Sequence, residues 1–120
     1  MATILIVDDS SAARDLLGGV VRATGHEPIF CESGADSLQT ASAYHPALIF
    51  MDIVMPGLDG FASCRALKKN ETTSKIPVVL VSSKVAPSDK FWGKKQGADD
   101  YIDKPFSVDT VTSVIRRYVG

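Results

Sequence analysis

Five polar side chains stand at the ends of short strand-like segments in this sequence, three of them apolar runs, and their types could together support phosphoryl transfer. Asp8 and Asp9 follow ILIV, and Asp52 follows LIFM. Ser82 follows PVVLV, and Lys104 follows DYID. In an open parallel sheet the carboxyl ends of the strands meet at one edge, where such proteins bind ligands. We therefore expect these side chains to share one crevice that holds a divalent cation and a phosphoryl group.

The three acids predict a magnesium site. Neighbouring carboxylates repel one another unless a cation neutralises them, and Mg²⁺ suits a few carboxylates with several retained waters. An acid after a strand can instead cap the next helix, so Asp8 or Asp9 could have that role. The expected arrival of Asp52 beside the pair favours the metal.

The segment after Asp52, IVMPGLDG, predicts a loop of fixed shape. Pro56 fixes its own φ, Gly57 permits a tight turn, and Gly60 closes the loop. A rigid loop would keep the Asp52 carboxylate in line with a phosphoryl donor, and carboxylates are established nucleophiles that form aspartyl-phosphates. The cation and Lys104 would neutralise charge on the transferring group.

The roles of Ser82, Lys104 and two aromatic residues are predicted with alternatives. The Ser82 hydroxyl could donate to a phosphoryl oxygen, or the residue could be a helix N-cap or a surface serine. Lys104 projects from a strand end, and a cis bond to the following proline would aim its ammonium group inward. Tyr101 is either an edge-strand core residue or a mobile switch. Trp92 either packs on the sheet or, if exposed among lysines, anchors a partner.

Length and charge limit the possible functions. The 120 residues fit one domain, residues 1–120, and because no segment follows the last helix we expect no output domain. A net charge of −1 argues against nucleic-acid binding. No apolar run has membrane-spanning length and no signal sequence begins the chain, so we expect a cytoplasmic protein without membrane insertion. Cys31 and Cys64 lack metal-ligand spacing and are expected to be reduced, buried or half-buried thiols.

Apolar runs alternate with amphipathic segments along the whole chain. On the first helix, Ala13, Leu16, Leu17, Val20 and Val21 are expected to face inward. Near-continuously apolar strands predict a parallel sheet covered on both faces, with the flavodoxin-like order 2-1-3-4-5, an α/β doubly wound fold with five helices. Strands are predicted at Thr3–Val7, Glu27–Cys31 (an edge), Leu48–Met51, Val78–Val81 and Asp100–Ile102. The first helix is predicted to be capped by Ser10 or Ser11 and to run to about Ala23, and the other helices are predicted at Ser33–Tyr44, Phe61–Lys69, Ser88–Gln96 and Ser107–Tyr118.

These motifs resemble those of the receiver domains of two-component response regulators, and the resemblance covers the whole chain. It rests on Asp8-Asp9, the block MDIVMPGLDG at Met51–Gly60, Ser82 and Lys104-Pro105. The blocks MDIVMPGLDGF and WGKKQGADDY further resemble single-domain receivers of pilus-linked, chemotaxis-like systems that control twitching or phototactic motility.

The resemblance implies a role for each site residue. Asp52 would be the phosphoacceptor. Asp9 would ligate Mg²⁺ directly and Asp8 through water, and the backbone carbonyl of Val54 would be the third protein ligand. Ser82 and Lys104 would bind the phosphoryl group.

The resemblance also implies a switch and its partners. Ser82 would move toward the phosphate and Tyr101 would turn inward, which would remodel the face made by the fourth helix, fifth strand and fifth helix. A histidine kinase or phosphotransfer domain would supply the phosphoryl group, and a downstream protein would bind this face of a monomer. The chain would catalyse only its own phosphorylation and dephosphorylation.

Some positions depart from the commonest pattern of the family. Ser82 stands where threonine is more usual, and Ser83 where a small alanine is common. Val54 and Lys84, which flank the phosphoryl group in this family, are apolar and basic here. These departures leave the phosphoryl lifetime open.

The sequence leaves competing functions open. The chain could be a phosphate sink or relay that drains a shared kinase without binding a target, whereas an exposed apolar patch near Trp92 would favour a target. An aspartate-nucleophile phosphatase needs a second acid two residues after the nucleophile. That position, 54, is valine, which argues against this class of enzyme. A flavin carrier of the same fold needs a hydroxyl- and glycine-rich loop where Asp8 and Asp9 stand.

Overall fold

The computed structural model describes the chain from Met1 to Gly120. Its five parallel strands form one sheet in the order β2-β1-β3-β4-β5, so the predicted fold class is confirmed and β2 is an edge. The strands are β1 (Thr3–Val7), β2 (Glu27–Cys31), β3 (Leu48–Asp52), β4 (Val78–Ser82) and β5 (Asp100–Asp103), and the helices are α1 (Ser11–Ala23), α2 (Gly34–Tyr44), α3 (Gly60–Lys69), α4 (Pro87–Lys95) and α5 (Val108–Tyr118).

The sheet is covered on both faces, as its apolar central strands require. Every residue of β3 and β4 is buried. Residues of α1 and α5 complete one core cluster on one face of the sheet, with Leu17 and Ile115 among its members. Residues of α2 and α3 complete the other, with Ala41 and Leu67 among its members.

Serine is the N-cap residue of three of the helices. Ser10, Ser33 and Ser107 each accept a hydrogen bond from a backbone N–H in the first turn of α1, α2 and α5. Helix α4 begins at Pro87, one residue before its predicted start, because proline is well suited to the first turn, where its missing N–H costs nothing.

The inward orientation predicted for Leu16 is wrong. Its side chain is 58% exposed, whereas Leu17 and Val21 are buried. The buried face of α1 is centred on these two residues, and Leu16 lies about 100° around the helix from Leu17, on the side away from buried Gly18.

Both cysteines are free and buried, as predicted. Burial raises the pKa of the Cys31 and Cys64 thiols to about 11, which keeps them protonated at neutral pH. None of the five helices combines the length and the apolar character needed to cross a membrane.

Candidate functional site

The ends of β1 and β3 bring the three acids together. The register pairs Val7 with Met51, so Asp8 and Asp52 leave neighbouring strands at the same level. One carboxylate oxygen from each of Asp8, Asp9 and Asp52 lies within 4.8 Å of the others. Asp8 and Asp52 are buried, while Asp9 is exposed. The cluster could hold a metal ion, because close carboxylates partly open to solvent are the donor set of a hard divalent cation.

Lys104 supplies positive charge to this cluster. Its Nζ lies 3.0 Å from Oδ2 of Asp8 and 3.6 Å from Oδ1 of Asp52. The backbone N–H of Lys104 donates to the carbonyl of Ser82 at 2.9 Å, so the end of β5 is fixed against the end of β4. The peptide bond between Lys104 and Pro105 is cis.

The electrostatics of Asp52 show that one lysine does not balance the acids. Burial, followed by the charge of Asp8, raises the pKa of Asp52, and Lys104 and the N–H of Ile53 only partly oppose the rise. The ionised carboxylate is therefore under-neutralised in the protein alone. This imbalance fits a bound divalent cation, which would remove the repulsion.

The loop between β3 and α3 is held at both ends. Beside Asp52, the N–H of Ile53 donates to Oδ1 of Asp52 at 2.9 Å, and the N–H of Gly60 donates to the carbonyl of Ile53 at 2.9 Å. Gly57 has a φ of 77°, which glycine adopts without strain. At the far end Asp59 caps α3 by accepting from the N–H of Ala62. The predicted fixed loop is therefore present.

Asp8 is fixed by its own neighbours and caps no helix. Its Oδ1 accepts from the N–H of Ser10 at 2.9 Å, and Ser10 rather than either acid is the N-cap of α1. Arg14 donates to the carbonyl of Asp8 at 2.7 Å and also contacts Glu32. Sequence reasoning missed Arg14, although its place one turn after the cap could have suggested a contact with the strand end.

Ser82 and Tyr101 meet at the loop that follows β4. Ser82 is fully buried, and its Oγ accepts from the N–H of Lys84 at 3.2 Å. It is thus neither a surface serine nor the N-cap of α4, which is Ala86. The Tyr101 hydroxyl donates to the carbonyl of Lys84. The half-buried ring of Tyr101 packs against the core, and burial, then the charge of Asp89, raises the pKa of its hydroxyl.

Three further residues considered in the sequence lie at the surface. Val54 is 56% exposed beside Asp52, and Lys84 is exposed and forms no ion pair. Trp92 is half exposed, so part of its ring is open to solvent.

Comparisons with known proteins agree with this geometry. Residues 4–116 match the family model described as the response regulator receiver domain. The chain is 44% identical to the protein PilH of Pseudomonas aeruginosa, over 100% of this chain and 99% of that one. It is 34% identical to PilG of the same organism, over 97% of this chain and 86% of PilG. The structure of the chemotaxis protein CheY4 of Vibrio cholerae is similar with a TM-score of 0.92, at 27% identity and covering 99% of each chain.

Proposed function

The chain belongs to the response regulator receiver family, and from this premise we propose that it is a stand-alone phosphorylation switch. Receiver domains take phosphoryl groups from histidine kinases and act on downstream targets. The observation that carries the proposal is the juxtaposition of Asp52 with Lys104 Nζ, at 3.6 Å, inside the three-acid cluster. A nucleophilic carboxylate, a cation beside it and further acids for a metal are the parts that phosphoryl transfer needs.

Asp52 is the proposed phosphoacceptor. A carboxylate oxygen of Asp52 attacks phosphorus, the bond from phosphorus to the donor's imidazole nitrogen breaks, and the histidine keeps the electron pair. Lys104 and the hydroxyl of Ser82 bind the phosphoryl oxygens. Mg²⁺ held by Asp8, Asp9, Asp52 and the carbonyl of Val54 would neutralise charge on the phosphoryl group. The hydrogen bond from Ile53 to Asp52 orients the carboxylate before the donor arrives.

The proposed output runs through Ser82 and Tyr101 to the face made by α4, β5 and α5. Ser82 and Tyr101 both bond to the backbone of Lys84, one to its N–H and one to its carbonyl. A shift of Ser82 toward the phosphoryl group would therefore move this loop and the Tyr101 ring together. The downstream protein binds that face, and the chain works as a monomer.

We further infer a place in pilus-linked or chemotaxis-like motility signalling. The alignment with PilH covers both chains almost from end to end, which supports a PilH-like receiver. Two exposed aromatic residues on α4, Phe91 and Trp92, favour a receiver with a protein target over a phosphate sink. The two free thiols, Cys31 and Cys64, suit a cytoplasmic protein.

Phosphorylation by acetyl phosphate tests the assignment directly. Peptide mass spectrometry should find the phosphoryl group on Asp52 alone, and Asp52→Asn should abolish labelling while the chain still folds. Phosphate on Ser82 or on a histidine would refute the assignment. The metal is tested separately, because Mg²⁺ titration should perturb the amide NMR signals of Asp9, Asp52 and Val54, and unchanged spectra would exclude the site.

A further inference from the structure

Every polar group of Asp8, in the turn between β1 and α1, has a hydrogen-bond partner. Its N–H donates to the carbonyl of Cys31 at 3.2 Å. Its Oδ1 accepts from the N–H of Ser10 at 2.9 Å, and its Oδ2 accepts from Nζ of Lys104 at 3.0 Å. Its carbonyl accepts from the guanidinium of Arg14 at 2.7 Å, and no backbone N–H donates to it. Because Asp8 is buried, this carbonyl would lack a partner without Arg14.

Asp9, the next residue, has no such support of its own. Its side chain is exposed and forms neither a hydrogen bond nor an ion pair. The direction of its carboxylate therefore depends on the backbone that carries it. The Asp8 carbonyl and the Asp9 N–H belong to one planar peptide unit. By holding that carbonyl, Arg14 also fixes the peptide plane from which Asp9 leaves.

Arg14 is itself firmly held. Its side chain is 15% exposed, and its backbone N–H donates to the carbonyl of Ser10 at 3.0 Å in the first turn of α1. A second guanidinium nitrogen lies 3.3 Å from Oε1 of Glu32, but that side chain is 78% exposed, so the ion pair adds little. The bond to the Asp8 carbonyl joins a charged donor to a buried acceptor and is the stronger contact. The guanidinium therefore acts chiefly on the Asp8–Asp9 turn.

We propose that Arg14 is a positioning residue for the magnesium site, because it holds the Asp8–Asp9 peptide and so sets the Asp9 carboxylate for the metal. This inference rests on the proposed function, in which Asp9 is a metal ligand. Mg²⁺ demands near-ideal octahedral geometry, whereas Ca²⁺ accepts a more flexible arrangement of ligands. Release of the Asp9 carboxylate from its fixed direction should therefore weaken Mg²⁺ binding more than Ca²⁺ binding.

The charge of Arg14 acts on the metal in the opposite direction. A guanidinium close to the site repels a divalent cation, so by charge alone its removal would strengthen Mg²⁺ binding. Positioning predicts that its removal weakens Mg²⁺ binding. The direction of the change therefore separates the two roles.

Arg14→Met tests the proposal, since it keeps much of the aliphatic stem and removes the donors and the charge. The measurement is a Mg²⁺ titration of the unphosphorylated protein, followed by the amide NMR signals of Asp9 and Asp52. The variant should bind Mg²⁺ about tenfold more weakly, the lower end of what groups that orient metal ligands contribute. Its Ca²⁺ affinity should fall about threefold or less. The amide nitrogen signal of Asp9 should move even without metal, because the carbonyl of the same peptide has lost its donor.

Three variants are the controls. Arg14→Lys retains one charged donor for the carbonyl and should keep the Mg²⁺ affinity within about threefold of the parent's. Glu32→Gln removes only the exposed ion pair and should leave the affinity unchanged. Arg22→Ala removes an exposed arginine without an ion pair from the last turn of α1, and it should also leave the affinity unchanged.

Unchanged or tighter Mg²⁺ binding by Arg14→Met would overturn the proposal. An equal loss of Ca²⁺ affinity would overturn it too, as would a loss of the same size in Glu32→Gln or Arg22→Ala. If Arg14→Met does not fold, Arg14→Gln, which is neutral and shorter, takes its place with the same expected and refuting results. A parent protein that binds no Mg²⁺ would instead refute the metal site of the proposed function. The two failures are therefore distinguishable.

Discussion

The Asp52 carboxylate lies where its ionised form is unfavourable. Burial and the neighbouring charge of Asp8 raise its pKa above the ordinary value of 3.8. An acid whose pKa is higher in the folded than in the unfolded state stabilises the fold fully only below pH 3.8, and this stabilisation is lost as the pH rises through the folded-state pKa. Without metal, ionisation of Asp52 therefore weakens the fold.

Asp52→Asn is expected to raise the Tm at pH 7 by a few degrees in the presence of a chelator, since it removes the buried charge. The advantage should shrink as the pH is lowered from 7 to 4, because the buried native carboxyl takes up its proton more readily than an ordinary aspartate. Thermal melts at both pH values measure this. The control is Asp15→Asn, because Asp15 is an exposed acid of α1 whose side chain forms no hydrogen bond or ion pair. This substitution should change the Tm little at either pH. A variant of Asp52 that is less stable than the parent at pH 7 would contradict the reasoning.

Val54 should control the lifetime of the aspartyl-phosphate. Hydrolysis needs a water in line with phosphorus, and the Val54 side chain, exposed beside Asp52, offers no hydrogen bond to hold it. Val54→Asn is expected to speed the loss of phosphate about 10-fold, the lower range of what positioning a reactant contributes. Release of phosphate after labelling with acetyl phosphate gives the rate. Val108→Asn alters an equally exposed valine on α5 and should leave the rate unchanged. An unchanged or slower loss in Val54→Asn would refute the role.

Residue identity predicted the composition of the site but not its contacts. The five polar residues were recognisable because each lies at the end of a predicted strand, and sheet topology then brings such positions together. The contact of the Tyr101 hydroxyl with the Lys84 carbonyl depends on the direction of a side chain across a loop. The position of Arg14 against the Asp8 carbonyl depends in the same way on packing. The local sequence pattern determines the direction of neither side chain.

At the scale of elements, the strands were predictable because both faces of the sheet are buried. The predicted strands 3 and 4 nevertheless stopped one residue early. Asp52 and Ser82 were assigned to loops because they are polar. In the structure the backbone of Asp52 pairs with Val81, and that of Ser82 pairs with Asp103. The functional side chains are therefore attached to the last paired residues of β3 and β4, which gives them a more rigid support than a loop would.

The junction of β3 and α3 should tolerate no side chain at Gly60. A Cβ there would lie 2.1 Å from the carbonyl oxygen of Asp52 and 2.7 Å from Cα of Ile53, so the backbone itself would have to move. Gly60→Ala is expected to cost about 2–3 kcal/mol in the free energy of unfolding and to slow phosphorylation of Asp52. Urea unfolding and acetyl phosphate labelling measure the two effects.

The matched control for that junction is Gly19→Ala. Gly19 lies inside α1, and a Cβ there meets nothing within 4 Å. Alanine should stabilise the protein at this position by about 1 kcal/mol, since it has the higher helix propensity. Equal effects of the two substitutions would show that the close approach of Gly60 to Asp52 has no energetic weight.

At the scale of the whole molecule, the proposed phosphorylation site and the α4-β5-α5 face share one loop. The N–H of Lys84 donates to the Ser82 hydroxyl, and the carbonyl of Lys84 accepts from the Tyr101 hydroxyl. The backbone of Lys84 therefore connects the two residues of the proposed switch. Coupling between sites is reciprocal. If phosphorylation strengthens the bond from Tyr101, loss of that bond must weaken the binding of a phosphoryl analogue by the same factor.

Tyr101→Phe is therefore expected to weaken beryllofluoride binding in the presence of Mg²⁺ by about fivefold, which corresponds to one hydrogen bond of about 1 kcal/mol. It should also reduce the beryllofluoride-induced changes in the amide NMR signals of α5. Tyr118→Phe is the control, because the Tyr118 hydroxyl likewise donates to a backbone carbonyl, that of Asp99, at the far end of β5 from Asp52. A fivefold loss in both variants would point to general destabilisation. An unchanged affinity and unchanged α5 signals in Tyr101→Phe would mean that the signal leaves Asp52 by another route, since the bond to Lys84 would then be equally strong in both states.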